Sequence, residues 1–146
     1  MSQITKDQLV VVCERYGIDM LYVFGSRAHE VAAMVGSGPP VSTPSVSSVS
    51  DVDIGVLLSP GRHLDVRDKV RLMAELEDLF DVGRVDLVVL PEASPFLAVE
   101  VIRGEVLYEA DADRSAEYEL YVLRRAGDLA YYERQRIEQV LGETAV

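Results

Sequence analysis

"VFGSRAHE" at residues 23–30 sets a Gly-Ser pair at the end of a short apolar run, and "SDVDIGVLL" at residues 50–58 sets two aspartates at the head of another. The run "MLYVFG" is brief and rich in β-formers, which predicts a buried strand. "SRAHEVAAM" then has the composition of a helix whose first turn begins at Ser26. "DVDIGVLLS" is apolar enough for a central strand and is stopped by Pro60-Gly61. Residues two apart in a strand face the same way, so Asp51 and Asp53 project together while Val52 and Ile54 take the other face.

Outward from these stretches, helices and strands alternate. Leu9, Val12, Cys13 and Tyr16 recur at helical spacing, which predicts a helix over Thr5–Tyr16 with Gly17 as its stop. Between the two quoted stretches, "VGSGPPVSTPSVSSVS" at 35–50 has no period of either kind and reads as a flexible insert. Val66, Val70, Met73, Leu76 and Phe80 mark one face of an amphipathic helix, and "RVDLVVL" is a strand ended by Pro91. Pro95 opens a helix that Gly104 closes, and "GEVLYE" is a short strand, possible at an edge. Residues 111–141 are helical in pattern, with Gly127 as an interruption and Tyr118, Tyr121, Tyr131 and Tyr132 as packing residues. The expected architecture is α/β, with a core over 1–110 and a C-terminal helical extension over 111–146.

Two carboxylates at the end of a buried strand repel each other unless a cation sits between them, and hard oxygen donors suit Mg²⁺ or Mn²⁺. Asp86 is a third carboxylate inside an apolar strand. If that strand pairs beside the one bearing Asp51 and Asp53, three aspartates converge. Three carboxylates around two divalent ions suit phosphoryl or nucleotidyl transfer. Gly25 and Ser26 supply a phosphate cradle, since glycine allows close backbone approach and serine donates a hydroxyl hydrogen bond. Arg27 reads either as a surface residue at the helix start or as a cation for the phosphates. His29 and His63 read as solvated residues, because no second histidine or cysteine stands at metal-ligand spacing.

In "FGSRA", "SDVDIGVLL" and "VDLVVL" the chain resembles the polymerase-beta-type nucleotidyltransferases, and within them the minimal nucleotidyltransferases that serve as antitoxins to HEPN-domain RNases. "AVEVIRGEVLYE" is similar to the helix and strand that follow the core in those small proteins. The resemblance implies a small mixed sheet flanked by helices, with Gly25 and Ser26 toward the nucleotide phosphates and Asp51, Asp53 and Asp86 as metal-binding and catalytic residues. It also implies two Mg²⁺ ions (or Mn²⁺), ATP as substrate, and a HEPN toxin as partner, AMP passing to a tyrosine hydroxyl of that toxin. The alternatives are an antitoxin that neutralises by binding alone and an adenylyltransferase for a small hydroxylated molecule. This chain departs from the family in its insert, since family members carry about ten residues between serine and first aspartate, where Arg27 to Ser50 intervene here. It departs again at His29 and Glu30, positions where an arginine and a glycine are common.

Composition narrows the classes. The 146 residues, 49% of them hydrophobic, fit one domain with a real core. With 25 acidic against 14 basic residues the net charge is -11, which repels nucleic acid and suits a basic protein or a metal-bound nucleotide. No apolar run reaches the roughly 20 residues of a membrane span, and neither a signal sequence nor a second cysteine beside Cys13 is present, which together predict a cytoplasmic protein.

Overall fold

The structure is a computed structural model and describes residues 6–35 and 51–144. Its elements are α1 (Lys6–Tyr16), β1 (Ile18–Phe24), α2 (Ala28–Met34), β2 (Val52–Leu58), α3 (Val66–Phe80), β3 (Val85–Val89), α4 (Pro95–Ile102), β4 (Glu105–Glu109) and α5 (Ala112–Thr144), with a 3-10 turn at Leu90–Glu92. The four strands form one mixed sheet in the order β3-β2-β1-β4. β1 runs antiparallel to both β2 and β4, whereas β2 and β3 are parallel. The expected insert over 35–50 lies outside the described residues except for Val35, which is buried and caps the end of α2.

Strand alternation sorts the sheet into two faces. Val52, Ile54 and Val56 of β2, with Leu21 and Val23 of β1, join the apolar sides of α1, α2 and α3. Met20, Tyr22 and Phe24 of β1, with Leu57 of β2, meet Ala98 and Val101 of α4 and Val122 of α5. Asp51 and Asp53 share the parity of Leu57 and belong to this second face. α4 lies close on it, because a Cβ at Gly55 would come within 2.3 Å of a Val101 methyl. The helix covers the strand at Gly55 and leaves its Asp51 end open.

Several expectations shift in detail. α2 starts at Ala28 rather than Ser26: Gly25 has φ 81°, outside the helical region, and Arg27 is the N-cap residue without a side-chain cap. On α3 the buried residues are Leu72, Leu76 and Phe80, whereas Val66 and Val70 are exposed, because the face turned to the sheet is centred on Leu72 and Leu76 and Val70 lies about 200° round the helix from Leu72. α5 runs through Gly127 unbroken, since one glycine in an exposed helix costs only about 1 kcal/mol. Of the four tyrosines expected to pack, Tyr118 does so, while Tyr121, Tyr131 and Tyr132 are exposed. The terminal strand β4 pairs only with β1 and is an edge.

The first part of α5 is tied to the sheet by polar contacts. Arg114 pairs with Asp19 at 3.0 Å and donates to the Leu58 carbonyl, and the buried Tyr22 hydroxyl donates to Glu119 at 2.7 Å. Burial, the Glu119 hydrogen bond and that carboxylate's charge raise the Tyr22 pKa above its ordinary value of 10.0. A phenol held neutral in the fold contributes stability that is complete below pH 10 and is lost as pH rises further. Tyr22→Phe should therefore lower unfolding free energy by about 1–3 kcal/mol at pH 7 in urea titrations. Its stability should also fall less steeply than the parent's between about pH 10 and 11.5.

Candidate active site

β1 delivers Gly25 and Ser26 to the end of the sheet where β2 begins. Phe24 is registered with Asp53 across the β1–β2 pair, so the turn after β1 passes directly over the Asp53 side chain. An added Cβ at Gly25 would stand 2.6 Å from Asp53 Oδ2, and φ 81° already disfavours any L side chain there. Glycine is thus required twice over, once for the backbone angle and once for the carboxylate beneath it. Ser26 is exposed on the same turn.

The parallel β2–β3 register sets Asp53 beside Asp86 and Val52 beside Val85. Carried one residue back, the same register sets Asp51 beside Arg84, and the Val52 N–H donates to the Arg84 carbonyl at 3.0 Å. Two carboxylates on adjacent strands are thereby opposed, with a third one step away. The Asp53 pKa is raised, first by desolvation and then by the charges of Asp86 and Asp51. The three aspartates expected from the sequence are therefore neighbours that feel one another.

Arg84 completes the group, and the sequence reading did not single it out. Its Nε lies 3.4 Å from Asp86 Oδ1 and 3.8 Å from Asp51 Oδ2. The signal was available in "RVDLVVL", where strand alternation places residue 84 on the face of residue 86. Arg27 is buried rather than on the surface, with its Nε 3.6 Å from Glu30. His29 is exposed and pairs with Glu105 at 3.2 Å, and His63 is exposed in the loop before α3.

The donor set fits a divalent cation: hard carboxylate oxygens on two adjacent strand ends, mutually repelling, half open to solvent. Among the described residues no three carboxylate, imidazole or thiol groups stand close enough to enclose an ion as they are. The array is an open one, with a guanidinium across two of its members.

Residues 7–113 match the family described as polymerase beta, nucleotidyltransferase. The chain belongs to that family, and with it to enzymes that transfer nucleotidyl groups. In fold it is similar to a chain of a toxin-antitoxin crystallised with AMP-PNP, with TM-score 0.66 at 20% identity over 93% of this chain and 98% of that one. It is likewise similar to a chain of the complex between a tri-AMPylated Shewanella oneidensis HEPN toxin and its MNT antitoxin, with TM-score 0.64 at 20% identity over 97% and 99% of the two chains. A chain of a MntA-HepT toxin-antitoxin gives TM-score 0.64 at 20% identity over 96% and 99%. No curated protein matches the chain. Among the described residues no helix is long and apolar enough to cross a membrane.

The contact between Gly25 and Asp53 can be tested as a pair. Gly25→Ala should cost about 1–2 kcal/mol from the positive φ alone, plus the displacement of Asp53. In the double variant with Asp53→Ala the second part disappears, so the combined loss in urea titrations should be smaller than the sum of the single losses.

Proposed function

We propose that the protein transfers AMP from ATP to a tyrosine hydroxyl of a HEPN RNase toxin and so acts as its antitoxin in the cytoplasm. The observation that carries this reading is the β2–β3 register, which opposes Asp53 to Asp86 directly beneath the Gly25 turn. Relatives of the same fold include a toxin-antitoxin crystallised with AMP-PNP and a HEPN toxin found tri-AMPylated beside its MNT antitoxin.

Asp51, Asp53 and Asp86 would hold Mg²⁺ or Mn²⁺. When bound, such ions neutralise the triphosphate and favour the ionised form of the attacking hydroxyl. Ser26 donates its hydroxyl hydrogen to a phosphate oxygen, and the absent side chain at Gly25 lets the triphosphate approach the backbone. Arg27, buried next to Ser26 in the chain, adds a positive charge near the phosphates. The tyrosine oxygen attacks the α-phosphorus in line; the bond to the bridging oxygen of the β-phosphate breaks, and pyrophosphate leaves. Asp86 accepts the tyrosine proton.

A protein acceptor needs a docking surface, and α5 offers one. Beyond Val122 the helix is exposed, yet Leu129, Ile137, Val140 and Leu141 continue the stripe that Val122 begins, at helical spacing. The segment from Leu123 to the helix end extends about 33 Å at a rise of about 1.5 Å per residue. We assign this stripe to the toxin. Its apolar extent also favours a contribution of binding itself to neutralisation.

With the purified toxin, Mg²⁺ and labelled ATP, the chain should label toxin tyrosine. Asp51→Asn and Asp53→Asn should abolish labelling while the thermal melt stays cooperative. Asp86→Asn should keep Mg²⁺-dependent ATP binding within about tenfold and slow transfer at least about a hundredfold. Unchanged transfer in these variants removes the carboxylates from the site. Protection of cells by a transfer-dead variant marks neutralisation by binding.

Leu129→Asp and Ile137→Asp should weaken toxin binding at least about tenfold in titration calorimetry, as expected for central apolar contacts of an interface. Neither should shift the melting temperature of the free protein by more than about 2 °C, because both side chains are exposed in it. Wild-type affinity in both would place the toxin elsewhere on the molecule.

A further inference from the structure

Arg84 bridges two of the three aspartates, yet its side chain is 68% exposed and is held by those carboxylates rather than by packing. Guanidinium stays charged at every pH the fold survives, so this compensation never switches off. Exposed ion pairs of this kind are weak and easily exchanged for solvent. A divalent ion brings twice the charge and can be ligated directly by the same oxygens. An ion shared by Asp51 and Asp86 would therefore compete with Arg84 for the same oxygens.

We propose that Arg84 is a displaceable internal counter-ion, which neutralises the Asp51–Asp86 pair in the metal-free protein and competes with the divalent ion for it. The inference rests on the assignment of the three aspartates as the metal-holding residues. It gives Arg84 a positioning role with two consequences. In the absence of metal, the guanidinium limits the repulsion that the β2–β3 register imposes on Asp51, Asp53 and Asp86. When ions are present without nucleotide, it keeps them weakly bound. A triphosphate entering over the Gly25 turn offers the guanidinium another set of anionic oxygens, so that metal and nucleotide are taken up together.

The test uses Mn²⁺ alone, with free ion measured by electron paramagnetic resonance against the full chain at low ionic strength. Arg84→Gln should bind Mn²⁺ at least about threefold more tightly than the parent, and the gap should close in about 0.5 M salt as screening weakens the competing charge. Arg84→Lys, which keeps the charge, should stay within about twofold of the parent. In metal-free buffer the melting temperature of Arg84→Gln should fall, and Mn²⁺ should raise it further than it raises the parent's. A residue with a merely structural role would weaken stability and Mn²⁺ binding together. Asp53→Asn separates the two layers of the argument. If Mn²⁺ binding depends on Asp53 but is equal or weaker in Arg84→Gln, the counter-ion role is overturned while the metal site stands. If neither protein binds Mn²⁺, or binding ignores Asp53→Asn, the metal site fails and the counter-ion role with it. Arg84→Ala, measured in parallel, gives the same reading should the glutamine introduce a hydrogen bond of its own.

Discussion

Everything at the candidate site depends on one pairing, the parallel alignment of β2 with β3. Parallel neighbours cannot be joined by a tight turn, so the chain must cross over through a helix, and α3 is that helix. Its length is fixed at both ends. A reciprocal cap between Asp65 and Asp68 starts it, and Asp81, in the left-handed region at φ 53°, stops it. Leu72, Leu76 and Phe80 then seat it against the sheet, and Glu77 accepts a hydrogen bond from the N–H of Val85, the first residue of β3. A helix one residue longer would deliver β3 out of phase, and Asp86 would turn into the apolar face now held by Val85.

The same register that builds the site also works against folding. Like charges opposed across neighbouring strands are unfavourable, and partial burial makes them more so. The protein limits the cost in two ways. It places the carboxylates where α4 has ended and water can reach them, and it puts Arg84 one step away on the same face. Elsewhere the sheet is covered on both sides mainly by apolar contacts, with Arg114–Asp19 and Tyr22–Glu119 as paired polar exceptions, and the free thiol of Cys13 is buried among them, with its pKa pushed up to about 12 by desolvation. Opposed carboxylates are thus held at the end of the sheet that water can reach.

The elements were legible where local pattern and tertiary demand agree. "RVDLVVL" and "MLYVFG" are too apolar and too short to be anything but buried strands, and Ser94-Pro95 opens α4 with a serine that caps it as the residue type suggests. Legibility failed where the answer lies in another part of the chain. Val66 and Val70 fit a helical stripe with Phe80 as well as Leu72 fits one with Leu76 and Phe80, and only the packing of the helix on the sheet decides which stripe is covered. The convergence of Asp53 and Asp86 was conditional on strand order, which no single stretch encodes. Arg84 escaped because an arginine at the head of a strand reads as solubility until its partner strand is known. The burial of Arg27 is of the same kind, since its neighbours in sequence leave both a surface and a buried position open to it.

The outer length of α5 has a thermodynamic consequence of its own. It lacks the core contacts that ordinarily supply most of a helix's stability, and relies on neighbours along its own surface, such as Gln135 donating to the Tyr131 hydroxyl at 2.7 Å and Arg125 lying over the Tyr121 ring. Continuous with packed turns, it needs no nucleus of its own, but past Val122 it is held by helical contacts alone, and Gly127 weakens them by about 1 kcal/mol. Under the proposed docking, a partner on this segment immobilises whatever freedom those unsupported turns retain. Under that docking, affinity at α5 is set partly by residues that touch nothing, and the glycine at 127 acts as a fixed attenuator on its strength.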